Sequence, residues 1–328
     1  MLVVGPNGAG KTNLLESLHV GTQGFSPRTR ADAQLIRFGA DAAKVAVRGS
    51  RGKVGVETEM VLRRAGGREA RMNGARVERV ERLRSELATL VFTPDRLAVV
   101  KGGPAVRRAY FDRALGRLLP AQSGVPAAYG EALGQRNAAL RRVSLGLSTR
   151  DALVPWTERV AELGAELVAA RGRALGLLGP GFAERAGELG LPDAALDYRG
   201  EPPTADALEA RLDRDVERGS TGLGPHLDEI GIASDDRDLR NFGSQGEQRL
   251  AVLSLLLAEA DLIAEHRAVP PLLLLDDVLS ELDPGRREIL AARVAGRGQT
   301  VITSTSRQAL PAEPSQVVEV TPGKAVAA

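Results

Sequence analysis

A chain of 328 residues with 43% hydrophobic content is long enough for a large α/β core and a second or inserted lobe. Zero cysteines exclude disulfides and cysteine-based metal or nucleophile chemistry, and no apolar run reaches the roughly eighteen residues that a membrane-spanning helix needs. Net charge is only +2, yet the stretch from Arg48 to Arg108 holds fifteen basic against seven acidic residues, and 134–150 holds four arginines and no acid. Such stretches read either as solvated surface or as a footprint for nucleic-acid phosphates. Only five of the 44 basic residues are lysine, so Lys11 is not casual surface decoration. The start MLVV lacks the features of a secretory signal, and cytoplasmic residence is the default expectation.

In chain order, LVV reads as the tail of a buried strand. GPNGAGKT, Gly5 to Thr12, then fits G-x-x-x-x-G-K-[ST] without mismatch. Its glycines let the backbone turn tightly and aim N–H groups inward. The spacing predicts a cofactor-binding loop of Gly5, Pro6, Asn7, Gly8, Ala9, Gly10, Lys11, Thr12 and Asn13. Lys11 would reach the β- and γ-phosphates of ATP, and the Thr12 hydroxyl would hold Mg²⁺. TNLLESLHV predicts a helix with Leu14, Leu15 and Leu18 on a buried face and its N-terminus toward the phosphates.

From Pro104 to Gly219 the chain is rich in Ala, Leu, Arg and Glu with helical periodicity but no sustained heptads, which predicts compact helices rather than a long arm. Arg107 and Arg108, and further on Arg136, Arg141 and Arg142, are DNA-binding candidates. Arg107 and Arg108 could equally pair with local acids, and Gln135, Arg136 and Asn137 could knit helices together. Trp156 is expected in the core. With 3% aromatics, backbone contacts to duplex or junction DNA fit better than base stacking on an aromatic platform. His226 reads as a structural histidine.

FGSQGEQRLAVLSLLLAEADLI opens a long helix behind Ser244 and Gly246. A serine there makes a good N-cap. It also fits S-x-G-[EQ]-Q, in which serine hydroxyl, glycine N–H and helix end converge on an anion. PPLLLLDDVLSELDP follows, a run suited to a doubly buried parallel strand ending in Asp276 and Asp277. Asp276 would hold Mg²⁺ through water and Asp277 would polarise the attacking water; the alternative is two acids capping a strand. Pro284 starts a helix. TVITSTS is the next strand, and any switch residue sensing the γ-phosphate lies within 303–306.

The order of P-loop, S-x-G-E-Q, LLLLDD and SELD resembles ABC-type ATPases, in which the signature serine touches the γ-phosphate held by the opposite subunit. The separation of Lys11 from Asp276, 265 residues, and the lack of a histidine after the switch strand argue against transporter subunits. GPNGAGKTNLLESL, SPRTRADAQLIRFGA with Arg28, Ile36, Arg37 and Gly39, FTPDRLAVVKGGPAVRRAYFDRAL, QRNAALR, WTERVAELGAELVAAR, STGLGPHLDEI, SQGEQR and LLLLDDVLSELD together resemble the RecF family.

That resemblance implies an ABC-type P-loop ATPase head of α/β class, with a mixed-sheet lobe over 1–95 and 259–328 and an inserted, mainly helical lobe over 96–258. It implies an ATP-driven homodimer that binds gapped or junction duplex DNA, with catalytic Lys11, Asp276, Asp277, Ser244 and Gly246 and with Thr12 and Asp276 on the metal. It further implies slow hydrolysis, since Asp277 is one methylene shorter than the glutamate of related ATPases. RecR, alone or with RecO, would be the partner, and RecA loading at gaps the outcome. Two departures stand out. Leu227 occupies a position where the family carries a charge. Family members also carry a further segment ahead of the loop, so the chain reads as one with a late start, which would expose a sheet edge and weaken nucleotide binding. A transport ATPase subunit and a catalytically inert DNA-binding scaffold are the rival readings.

Overall fold

The computed structural model describes residues 1–29, 31–78, 81–267 and 269–328. They form two compact units. One comprises Met1–Leu97, Glu188–Gly190 and Val252–Ala328, the other Ala98–Gly187 and Leu191–Ala251.

The first unit is built on a six-stranded sheet in the order Lys324–Ala327, Val317–Thr321, Leu2–Val4, Thr300–Ser304, Leu272–Leu275, Thr89–Phe92. All neighbours are parallel except the outermost pair, Val317–Thr321 with Lys324–Ala327. LVV and LLLL are continuous apolar runs because their strands are covered on both faces: Leu2, Val3, Leu274 and Leu275 are fully buried. The expected α/β class with a mixed sheet is therefore what the chain adopts.

A second, antiparallel sheet runs Ala42–Arg51, Val54–Arg63, Arg68–Met72, Ala75–Val77. The helix Lys11–Gln23 serves both sheets. Leu15 enters the core with Val3, Val91, Leu274 and Val301, with Leu14 and Leu18 partly buried against it. Val20 enters a second core with Met60, Leu62 and Leu83. The helix lies close to the antiparallel sheet at Gly21, where a Cβ would meet Val47 Cγ2 at 2.5 Å. The Thr58 hydroxyl donates to the Gly21 carbonyl at 2.8 Å. Basic residues of this sheet sit beside acids: Arg48 is paired with Glu57 directly across the ladder, Arg68 with Asp32, and Arg63 and Arg71 with Glu69. Part of the arginine excess seen in the sequence is thus solvated ion pairing.

The second unit packs Pro104–Leu118, Val125–Ser144 and Val154–Glu188 around Leu115, Tyr129, Val160, Leu163 and Leu167, beside a three-stranded sheet of Ala195–Tyr198, Ile230–Ser234 and Arg237–Asp238. The expectation of compact helices fails at Val154–Glu188, a single helix of 35 residues, about 52 Å long. Pro180 and repeated glycines punctuate its sequence, but Val160, Leu163, Leu167, Ala174, Leu178 and Phe182 keep one face buried, and that packing outweighs the local propensity. Gly164 is needed there, because a Cβ would meet Pro203 Cγ at 2.5 Å. Trp156 is half-buried in the first turn of this helix rather than in the core.

Arg136 is buried with Asp215 at 2.9 Å and also donates to Thr221 Oγ1 at 2.7 Å and Thr157 Oγ1 at 3.2 Å. Asp215 in turn accepts the Gly222 N–H at 3.0 Å, and Asn137 accepts both the N–H and the hydroxyl of Thr221 at 2.8 Å. Removing one partner leaves the other charge buried and uncompensated. Asp215→Ala is expected to lower stability by about 3–5 kcal/mol, whereas Arg141→Ala, exposed on the helix that carries Arg136, changes it by less than about 0.5 kcal/mol; urea unfolding of the two variants measures the contrast.

Candidate nucleotide site and signature helix

The strand Leu2–Val4 delivers the phosphate loop at its carboxyl end. Gly8 and Gly10 take φ of 80° and 105°, a left-handed backbone that other residues rarely adopt. Gly10 directly precedes the helix Lys11–Gln23, so the helix N-terminus opens onto the loop. Gly5 lies against the Val320 carbonyl and leaves no room for a side chain. Pro6, Asn7 and Gly8 are exposed, as is Asn13, while Ala9 is buried in the sheet core. The Lys11 ammonium, on a nearly buried side chain, donates to the carbonyls of Gly5 at 2.7 Å and Pro6 at 3.0 Å, so it spans the loop.

The parallel strand Leu272–Leu275 ends beside this loop. Asp276 is buried, and its N–H donates to the Phe92 carbonyl of the neighbouring strand at 2.9 Å. Its Oδ1 accepts the Thr12 hydroxyl at 3.2 Å and the Thr303 hydroxyl at 2.7 Å. Drawing the Thr12 proton toward a carboxylate leaves the threonine lone pairs on offer to a cation. Hydroxyl and carboxylate oxygens are the hard donors that Mg²⁺ takes, with waters and phosphate oxygens completing its shell, so the residues present fit that ion.

Asp277 is half-buried and takes φ of 50°, a left-handed conformation that costs a non-glycine residue about 1–3 kcal/mol. Two hydroxyls hold it: Thr303 accepts its N–H at 2.8 Å, and Ser280 donates to its carbonyl at 2.8 Å. Thr303 therefore touches both acids. The sequence left any switch residue open among four consecutive residues; of these Thr303 is the one that contacts both acids, because Thr300–Ser304 pairs with Leu272–Leu275 and Thr303 follows the paired Ile302. Sequence reasoning also passed over Thr93 as a site residue in its own right. Its hydroxyl is buried at the end of the strand Thr89–Phe92, with no hydrogen-bond partner among the described residues. Beyond the acids, Asp283 caps the helix Pro284–Val294 by accepting the Arg286 N–H at 3.0 Å, which holds its carboxyl below the usual range.

Ser244 and Gly246 lie in the other unit, exposed at the start of the helix Gln245–Arg267. The Ser244 hydroxyl accepts the Glu247 N–H at 3.2 Å and the Glu247 carboxylate accepts the Ser244 N–H at 2.7 Å, a reciprocal capping box. These bonds to Ser244 hold Glu247 below its usual pKa. Gln248 anchors the turn from inside, donating to the carbonyls of Leu239 and Gly243. Cap and signature are compatible: the serine oxygen accepts within the helix while its proton remains available to an anion outside.

Two of the five arginines marked for DNA are not on the surface. Arg136 is fully buried in the Asp215 network described above. Arg107 is 1% exposed, paired with Glu229 and donating to the Val100 carbonyl. Neither guanidinium is presented to a phosphate in this structure: both are buried, Arg136 against the buried Asp215 and Arg107 against the half-exposed Glu229. Arg108 is half-buried and donates to the Asp228 carbonyl at 2.6 Å. Arg141 and Arg142 are exposed. The histidine motif is a structural knot: His226 accepts the Tyr129 hydroxyl at 2.7 Å through Nδ1 and donates to the Thr221 carbonyl at 3.0 Å through Nε2. Burial pushes the His226 pKa down and the Tyr129 pKa up, so both stay neutral. Asp228 accepts the Tyr198 hydroxyl at 2.7 Å, while Arg171 grips Asp112 with two bonds at 2.7 and 2.9 Å. Leu227, where a charge was expected, is 57% exposed.

The sequence matches the family RecF/RecN/SMC N terminal domain over residues 1–326. The chain is 35% identical over 326 residues to the DNA replication and repair protein RecF of Heliobacterium modesticaldum, covering 95% of this chain and 88% of that one. The chain belongs to the RecF family. It is also 39% identical to RecF of Anaeromyxobacter dehalogenans, over 94% of this chain and 86% of the relative, and 34% identical to RecF of Bacillus subtilis, over 93% and 86%. Among solved structures, the recombination mediator protein RecF with ATP, of the RecFOR pathway, superposes with a TM-score of 0.90 at 26% identity, over 100% of this chain and 91% of that one. The Smc head domain of Pyrococcus furiosus, at TM-score 0.57 and 18% identity over 100% of this chain and 89% of that one, shares the fold.

The capping box sets the expectation for Ser244. Ser244→Ala should cost about 1 kcal/mol of stability and Ser244→Gly only a few tenths, since glycine tolerates the cap position; thermal unfolding of both variants reads the difference, and makes the glycine variant the clean probe of what the hydroxyl does beyond folding.

Proposed function

We propose that ATP holds two copies of this chain together on DNA. RecF-family membership makes the protein an ATPase and an ATP-dependent recombination mediator of DNA repair. In this reading residues 1–95 and 259–328 hold the nucleotide, and 96–258 carry the signature and the exposed arginines. The backbone of Gly5 to Asn13 wraps the phosphates, and Lys11 turns from the loop carbonyls to the β- and γ-phosphates. Thr12 and Asp276 hold Mg²⁺, which when bound neutralises charge on the phosphates. Asp277 orients the attacking water.

The observation that carries the reading is the hydrogen-bonded chain from Thr12 through Asp276 and Thr303 to the Asp277 N–H. It ties the phosphate loop to the end of the acidic strand. The exposure of Ser244 and Gly246 supports the second half: a hydroxyl proton and a helix N-terminus are presented to a γ-phosphate held by another copy. The closed dimer binds gapped or junction DNA, and slow, DNA-stimulated hydrolysis releases it. RecR, alone or with RecO, is the partner, and RecA loading at gaps the outcome, in the cytoplasm. Among the described residues no helix is long and apolar enough to cross a membrane.

Two experiments test this. Sizing by light scattering should show dimer formation with ATP for the wild type and none for Lys11→Met or Ser244→Gly; dimerisation of either variant at wild-type ATP concentration would refute the bridge. Thr303→Val removes the hydroxyl that positions both acids. It should lower hydrolysis by about 10–100-fold, the usual effect of losing a positioning partner, while nucleotide affinity measured with a fluorescent ATP analogue stays within about threefold.

A further inference from the structure

The helices Val125–Ser144 and Val154–Glu188 of the second unit are joined by a turn whose tip is apolar and rimmed by arginine. The first helix ends in a left-handed glycine cap. Gly146 has φ of 69°, its N–H donates to the Val143 carbonyl at 3.0 Å, and the Leu147 N–H donates to the Arg142 carbonyl at 2.8 Å. In such a cap the residue after the glycine normally packs on the side chain five positions back, inside the last turn. Here that position is Arg142, and Leu147 remains 66% exposed. Leu145, before the glycine, is 72% exposed, and Val154, which opens the next helix, is 50% exposed. The cap fixes the backbone but gives no reason for the leucines.

Single exposed apolar residues are ordinary on protein surfaces. Two exposed leucines at one end of a helical hairpin, within a stretch of four arginines and no acid over 134–150, with Val154 exposed just beyond it, are a different pattern. Arg141 and Arg142 are exposed on the last turn before the tip. Arg150, on its far side, is paired with Asp213 at 2.6 Å with both groups solvated, a pair of little net strength. The charge fits a polyanion. A rigid apolar wedge between phosphate-binding arginines is the combination that enters a base stack, and the cost of opening a stack is least where it is already interrupted.

We propose that Leu145 and Leu147 form a wedge that recognises the interrupted stack where duplex DNA meets single strand, with Arg141 and Arg142 on the flanking phosphates. The inference rests on the DNA-binding reading above and adds to it the residues that select the junction over continuous duplex.

The test uses the full chain with ATP and two duplexes of one sequence, continuous and gapped, with 2-aminopurine at the junction base. Wild type should raise 2-aminopurine emission on the gapped duplex, through unstacking, and bind it about tenfold more tightly than the continuous one. Leu145→Ser/Leu147→Ser should lose the emission change and the preference while keeping its affinity for continuous duplex. Leu145→Met/Leu147→Met should keep both. Arg141→Gln/Arg142→Gln should weaken binding to both duplexes and reduce the log–log salt slope by about two. If the serine variant keeps the emission change and the preference, the wedge is refuted. Equal wild-type binding to both duplexes also refutes it while leaving the DNA reading intact; no binding to either removes both. A serine variant with unaltered DNA behaviour that no longer binds purified RecR would make the tip a protein-docking surface and overturn the inference.

Discussion

The carboxylate of Asp276 is where three distant parts of the chain meet. Thr12 belongs to the first helix, Asp276 to the end of the strand Leu272–Leu275, and Thr303 to the strand beside it. None is near another in sequence. What brings them together is the parallel order of the sheet, with Leu2–Val4 and Leu272–Leu275 on either side of Thr300–Ser304. Parallel strands put their carboxyl ends on one edge, and that edge is where loops carrying polar chemistry must emerge. The left-handed Asp277 next to it shows that the site is held against local preference by its surroundings.

The charges of the second unit play a different part from the one their abundance suggests. Arg107, Arg136 and Arg171 are buried, and each faces a carboxylate. Arginine suits this use, since its planar guanidinium satisfies several acceptors at once and does not neutralise when desolvated. Arg136 alone joins two helices and the Thr221 turn. These side chains order the lobe. Of the five arginines considered for DNA, the two with exposed side chains are Arg141 and Arg142, at one helix end. A count of basic residues along a sequence does not separate the two uses, because both need the same residue type.

Elements set by local rules were legible. Gly8 and Gly10 at positive φ, the leucine run of Leu272–Leu275 and the Pro284 helix start all rest on constraints that act within a few residues. Ser244 was legible as an N-cap, and the capping box bears that reading out while leaving its hydroxyl proton unused within the cap. The helix Val154–Glu188 was not legible at full length, because Pro180 and its glycines argue for interruption and only the buried face argues for continuity. Thr303 could be narrowed to four residues and no further, since choosing among them requires the inter-strand register.

The sequence by itself determined the chemistry on offer: a phosphate loop, two acids at a strand end, a serine at a helix start, and the order in which they come. Those follow from bonded neighbours and short-range sterics. Tertiary structure alone decided that Thr303 bridges the acids, that Arg107 and Arg136 are interior while Arg141 and Arg142 are not, and that Leu145 and Leu147 stay uncovered at the hairpin tip. Burial and cross-strand register are properties of the packed chain, and no local pattern encodes them.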